Sequence, residues 1–191
     1  GGYATVYPCG SLPNTSNLNF VAGATVPNAV VTPLSPTGSI CVFVFGRADV
    51  IVDVNGSFLA GQGFNPLAPT RIADSRNGIG TSGVGTVGTV DGSGAPLVMS
   101  VAGLVGGNPG RLVSVSMNVT AIGVDANPAG GYVTVYACGD IPNASNLNFV
   151  PGEITPNAVL APVSADGTIC IHVFGRAHII VDVNGVITTS D

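Results

Sequence analysis

The chain has 191 residues with a net charge of −5; only 8% are charged, Lys and Trp are absent, and Gly and Pro number 28 and 14. Its five arginines (Arg47, Arg71, Arg76, Arg111, Arg176) are scattered, which excludes the clustered positive charge of a nucleic-acid or anionic-membrane footprint. Mean hydropathy is high at +0.53, yet the most apolar runs, from Ser39 and from Val50, stop far short of the roughly 20 residues a membrane helix needs, so no membrane insertion is expected.

In chain order, the first segment, "GYATVYPCG", alternates Tyr3, Thr5, Tyr7 and Cys9 on one face with Ala4, Val6 and Pro8 on the other, the period of two of a strand. "PNTSNLNFVAG" is bounded by Pro13 and Gly23, and a strand here buries Leu18 and Phe20 while showing Asn17 and Asn19. "SICVFVFG" puts Ile40, Val42 and Val44 on one face; "VIVDVNG" turns Val50, Val52 and Val54 inward and Ile51, Asp53 and Asn55 outward. "PTRIADSRNG" concentrates Arg71, Asp74 and Arg76. In a chain this poor in charge, that group reads as a structural ion pair pinning a loop to the sheet. "APLVMSVAG" and "RLVSVSMNVTAIGV" alternate as strands too, and no useful window shows the 3.6-residue period of an amphipathic helix. An all-β module, a β-sandwich or jelly-roll-like fold, follows.

Residues 1–56 align without gaps on residues 130–185, an offset of 129, with 37 identities in 56 positions. A unit of this period makes 1–58 the second half of a β-module, 59–68 a linker and 69–187 a complete module. The strands that 69–129 supply to the second copy have no counterpart for the first, so residues 1–58 are expected not to close alone. Upstream sequence or a neighbouring subunit, docked head to tail, would cover the bare half.

Each copy carries two cysteines 32 positions apart, Cys9 with Cys41 and Cys138 with Cys170. One disulfide per copy is the economical reading, and it places the protein outside the reducing cytosol. No metal or other cofactor is expected: His172 and His178 occur only in the second copy, opposite Phe43 and Asp49, and the Asp-x-Asn-Gly of "VDVNG" lacks the further acids of a calcium loop. No Ser sits in a nucleophile elbow, and no Asp pair suits a glycosidase. These readings make the chain a non-enzyme. The amides Asn17, Asn19, Asn146 and Asn148 admit two readings. They could be a sugar-binding or self-stacking row, or the ordinary polar face of half-buried strands whose amides satisfy nearby backbone.

"RIADSRNG", then "VSMNVTAIG", then the run from Gly130 to Ile187 resembles a module found singly or in tandem in large secreted and cell-surface proteins of actinobacteria. Its approximate pattern is R-x-x-D-[ST]-R-x-G … N-V-T … T-V-x-x-C-G … S-N-L-N … C … H-x-x-V-D-V-x-G. The first copy departs from it by carrying Asp49 where His178 keeps the pattern's His. Taken together, the disulfides, the repeat and the all-β pattern make the expected role an extracellular structural or adhesive repeat, self-associating into a homo-oligomer, fibre or surface layer. The alternative is a carbohydrate-binding module whose partner is a cell-surface or extracellular glycan.

Overall fold

A computed structural model describes the chain apart from residues 14–17, 31, 33, 58–62, 82, 90, 106–110, 125–129 and 190–191. It is all-β and divides into two compact units, Gly1–Val52 and Asp53–Asp191.

The first unit contains β1 (Gly2–Pro8), β2 (Leu18–Phe20) and β3 (Ile40–Phe45) in an antiparallel sheet of order β2-β1-β3. Residue β1 Tyr3 faces Phe45 and stacks on its ring at 5.3 Å. Gly2 opens β1 because a Cβ there would run into the carbonyl oxygen of Phe45 on the neighbouring strand. A tight turn leads into β3: the Ser35 N–H donates to the Ser39 carbonyl, Ser35 Oγ accepts the Ser39 N–H at 3.0 Å, and Gly38 takes φ 77°. Such a backbone favours glycine. The Cys9–Cys41 disulfide ties the far end of β1 to β3.

Beyond β3 the expectation from sequence fails. The run from Val50, expected to be a strand with Val50, Val52 and Val54 inward, forms none, and every residue from Phe45 to Ser57 is exposed. Ile51 is 88% and Val54 80% accessible. Alternation alone does not make a strand, which also needs neighbours to satisfy its N–H and C=O groups and cover its apolar face.

The second unit has, among its described residues, β4 (Gly63–Asp74), β5 (Leu97–Ser100), β6 (Leu112–Gly123), β7 (Gly131–Ala137), β8 (Leu147–Phe149), β9 (Ile154–Pro162), β10 (Thr168–Phe174) and β11 (Ala177–Thr188), with a short 3-10 turn at Ala102–Val105. They make two antiparallel sheets of order β5-β10-β7-β8 and β4-β11-β6-β9. One hydrophobic core draws on both, with Val133, Ile169, Ile171 and Val173 from the first and Met117, Val119, Ile179, Val181 and Val183 from the second. Each such side chain contributes about 1.5 to 3 kcal/mol by leaving water. Here the run matching Val50–Gly56 is the middle of β11, hydrogen-bonded on both sides, and Ile180 and Val183 are 7% and 0% exposed.

β4 begins at Gly63, inside the 59–68 segment expected to be a linker and ahead of the module start expected at 69. Its prolines, Pro66 and Pro69, obscured it, as Pro156 and Pro162 obscured β9. Both strands are edges of their sheet, where a residue that cannot donate a ladder hydrogen bond is tolerated. The pairing of β7 with β10, from Tyr132 opposite Phe174 to Ala137 opposite Ile169, matches position for position that of β1 with β3. So do the Cys138–Cys170 disulfide and the turn in which Ser164 Oγ accepts the Thr168 N–H at 2.9 Å, with Gly167 at φ 77°.

Candidate functional site

Charge is scarce in this chain, and the structure gathers much of it at the end of β4. Asp74, wholly buried, receives Arg76 as a fork, Nε to Oδ1 at 2.9 Å and Nη2 to Oδ2 at 2.7 Å, together with the Arg76 backbone N–H at 3.1 Å. Arg71 donates Nη1 to Asp74 Oδ2 at 3.2 Å. The hydrogen bonds from Arg76, working against burial, hold the Asp74 carboxyl at about 2, well below its ordinary 3.8. Arg71, Asp74 and Arg76 thus meet as an ion-pair group.

Sequence reasoning left out the fourth member. Arg71 also forks onto Asp182 of β11, Nε to Oδ1 at 2.8 Å and Nη2 to Oδ2 at 3.1 Å, which fastens the edge strand to its neighbour. The signal available was "VDVNG" itself, whose outward Asp had no assigned partner.

Ser75, the next residue, is buried beside His178, at 3.5 Å from its Nδ1. A serine near a histidine invites a nucleophilic reading, which the hydrogen bonds argue against. His178 Nδ1 lies 3.0 Å from the Gly85 carbonyl, an oxygen that can only accept, so Nδ1 carries its proton and cannot take one from the serine. Ser75 Oγ already accepts the Ile179 N–H at 3.0 Å, and the Ser75 N–H donates to the Ile179 carbonyl. The pair clamps the turn after β4 onto β11. The adjoining groove, of about 590 Å³, is lined by Ser75, Thr81, Thr86, glycines and small apolar residues, with no charged or aromatic side chain among its described lining.

The candidate amides do not form one row. Asn146 is structural: its Oδ1 accepts the Val135 N–H at 2.6 Å and its carbonyl accepts Asn157 Nδ2 at 2.6 Å. Asn148 is half-buried in β8 and Asn19 exposed in β2, while Asn17 lies outside the described residues. Leu147 and Phe149, flanking Asn148, are buried, whereas Leu18 and Phe20, expected to be buried, are half-buried in β2. His172 is buried, with Nε2 on the Gly92 carbonyl at 2.8 Å, and its Nδ1 and the Tyr136 hydroxyl have no hydrogen-bond partner.

The described residues contain no group of His, Cys, Asp or Glu arranged to hold a metal, and no helix long and apolar enough to cross a membrane. The two disulfides suit an extracellular or otherwise oxidising environment. No protein-family model matches the chain, and no curated protein matches it either.

Proposed function

We propose that the chain is an extracellular structural or adhesive repeat element of a fibre or surface layer, built from a β-sandwich module of period 129, and not an enzyme. The observation that carries this reading is the exposed flank of the first copy. A run that lies inside β11 at 177–185 in one copy stands exposed at 48–56 in the other. Unpaired strand-forming segments with apolar side chains pair with other chains, and a module left open in this way is suited to assembly. The ion-pair group and the Ser75–His178 clamp hold strands together, and the disulfides staple each copy, which fits a mechanical role better than a chemical one. The disulfides, taken with the sequence resemblance, support a reading of secretion to the cell surface.

The rival is a carbohydrate-binding module, and sedimentation velocity across a concentration series, with electron microscopy and a glycan array on the same protein, separates the two. The expected result is growth of larger species with concentration and no glycan retained. A monomer at every concentration overturns the assembly reading, and saturable binding of a defined glycan replaces it with the rival.

A further inference from the structure

We propose that the open flank of the first copy is a docking site for a polypeptide with the strand sequence of residues 63–123, a further first half-module, rather than for a second copy of this chain; the proposal rests on the repeat reading above and gives its partner a sequence.

The second copy shows what such a flank binds. β11 lies between β4 and β6, β9 pairs with β6, and β10 pairs with β5. All three partner strands come from residues 63–123. In the first copy the strands that pair within the half are formed, β1 with β2 and with β3. Those that would need the other half are not: no strand is present among the described residues of 21–34 or at 46–57. β3, which matches β10, has no counterpart of β5 beside it in its sheet, and Val42 is 38% exposed where the matching Ile171 is 0%.

The surface awaiting a partner is nearly the one already bound in the second copy. Residues 48–56 and 177–185 are identical at seven of nine positions. Asp53 stands where Asp182 takes the fork of Arg71; in this chain it accepts the backbone N–H of Ser145 at 3.2 Å, exposed to solvent. An arginine placed like Arg71 on the incoming strand would complete the charge pair. Gly56 stands where Gly185 leaves room for the ring of Phe64, which a Cβ would meet. The partner therefore carries an aromatic residue about seven positions ahead of that arginine.

The segment of residues 63–123 is already engaged by β9, β10 and β11, so what the flank takes is a further segment of the same kind.

The test joins residues 62–129 ahead of Gly1 in the full chain, so that Ala129 precedes Gly1 as it precedes Gly130. Hydrogen exchange is then followed at residues 46–57 in the fused and unfused proteins. The expected result is exchange slowed by about a hundredfold or more at 50–55 on fusion, with 177–187 protected in both. In the fused protein Asp53→Arg should reduce that protection, and Arg→Asp at the appended copy of Arg71 should restore it. Unchanged exchange at 50–55, with 177–187 still protected, overturns the proposal. Equal protection in the unfused chain at high concentration also overturns it, by showing that a second copy suffices. Protection on fusion in a chain that never assembles would leave this docking intact and remove the fibre reading instead.

Discussion

Residues 48–56 and 177–185 are nearly the same peptide in two circumstances. In the second unit it is a central strand, paired to β4 and β6, with its valines in the core. In the first copy it forms no strand and its residues are exposed. The features that the copies keep in common are closed by segments within the half-module itself: the pairing of β1 with β3, the Cys9–Cys41 disulfide and the Ser35 turn. The feature that differs depends on strands from elsewhere. Strand propensity in this chain is permission, and pairing decides.

The strongest way to break this comparison is to make one substitution twice. Val183→Asp puts a carboxylate into a wholly buried site between two strands, and an unpaired buried charge should cost more than about 4 kcal/mol and unfold the second unit. Val54→Asp, at the matching exposed position, should stay within about 0.5 kcal/mol. Thermal melts of both variants check this, and equal losses would mean that Val54 is buried in solution.

The disulfides come next. Each spans 32 positions, and removing either should cost about 3 to 4 kcal/mol on the chain-entropy estimate. The consequences should differ between the copies. Cys138→Ala with Cys170→Ala leaves a unit that still has two sheets and a core, so its melting temperature should fall while the fold survives. Cys9→Ala with Cys41→Ala leaves a lone three-stranded sheet with an open flank, and its amides should lose exchange protection altogether. Peptide-resolved hydrogen exchange distinguishes the two results.

How much of this was legible in the sequence follows from the same distinction. β1, β3, β7 and β10 and the cysteine pairing were readable, because alternation and a repeated spacing are local signals. The ion pair of Arg71, Asp74 and Arg76 was readable because so few charges compete. The link from Arg71 to Asp182 was not, since it depends on β4 lying beside β11, 111 residues away in sequence. β9 and the start of β4 were hidden by prolines that only an edge position excuses. The failure of the strand at Val50 was hidden most deeply, for nothing in those residues differs enough from 179–185 to announce it.

Acid should act on the second unit through a smaller effect. Asp74 and Asp91 are held at about 2, the first by Arg76 and the second chiefly by the Ser93 hydroxyl, and Asp166 is lowered by Ser164. Carboxylates held below their ordinary value stabilise the fold in full above about pH 4, and that contribution disappears as pH falls from there toward 2. The melting temperature of the 53–191 unit should therefore decline over that window, and Asp74→Asn should lower it at neutral pH while flattening the decline. A pH profile in Asp74→Asn identical in shape to that of the parent would mean that Asp74 does not titrate with folding.

The smallest effects lie among the amides, where the comparison can be made within one short strand and its approach. Asn146 and Asn148 sit two residues apart, and sequence alone gave them one role. The structure separates them: the Asn146 side chain satisfies the Val135 N–H, whereas Asn148 is a half-buried residue of an edge strand. Asn146→Ala leaves that backbone donor without its partner and should cost about 1 to 3 kcal/mol. Asn148→Ala should cost about 0.5 kcal/mol or less. Denaturant titration of the two variants measures the difference, and glycan binding measured on the same samples gives it a functional edge. If Asn148→Ala leaves stability intact but abolishes retention of a glycan by the parent protein, the amide is a ligand contact and the carbohydrate-binding reading gains its first residue. If both variants lose stability equally, the amides of this strand are structural throughout, and a recognition surface must be sought on the open flank of the first copy instead.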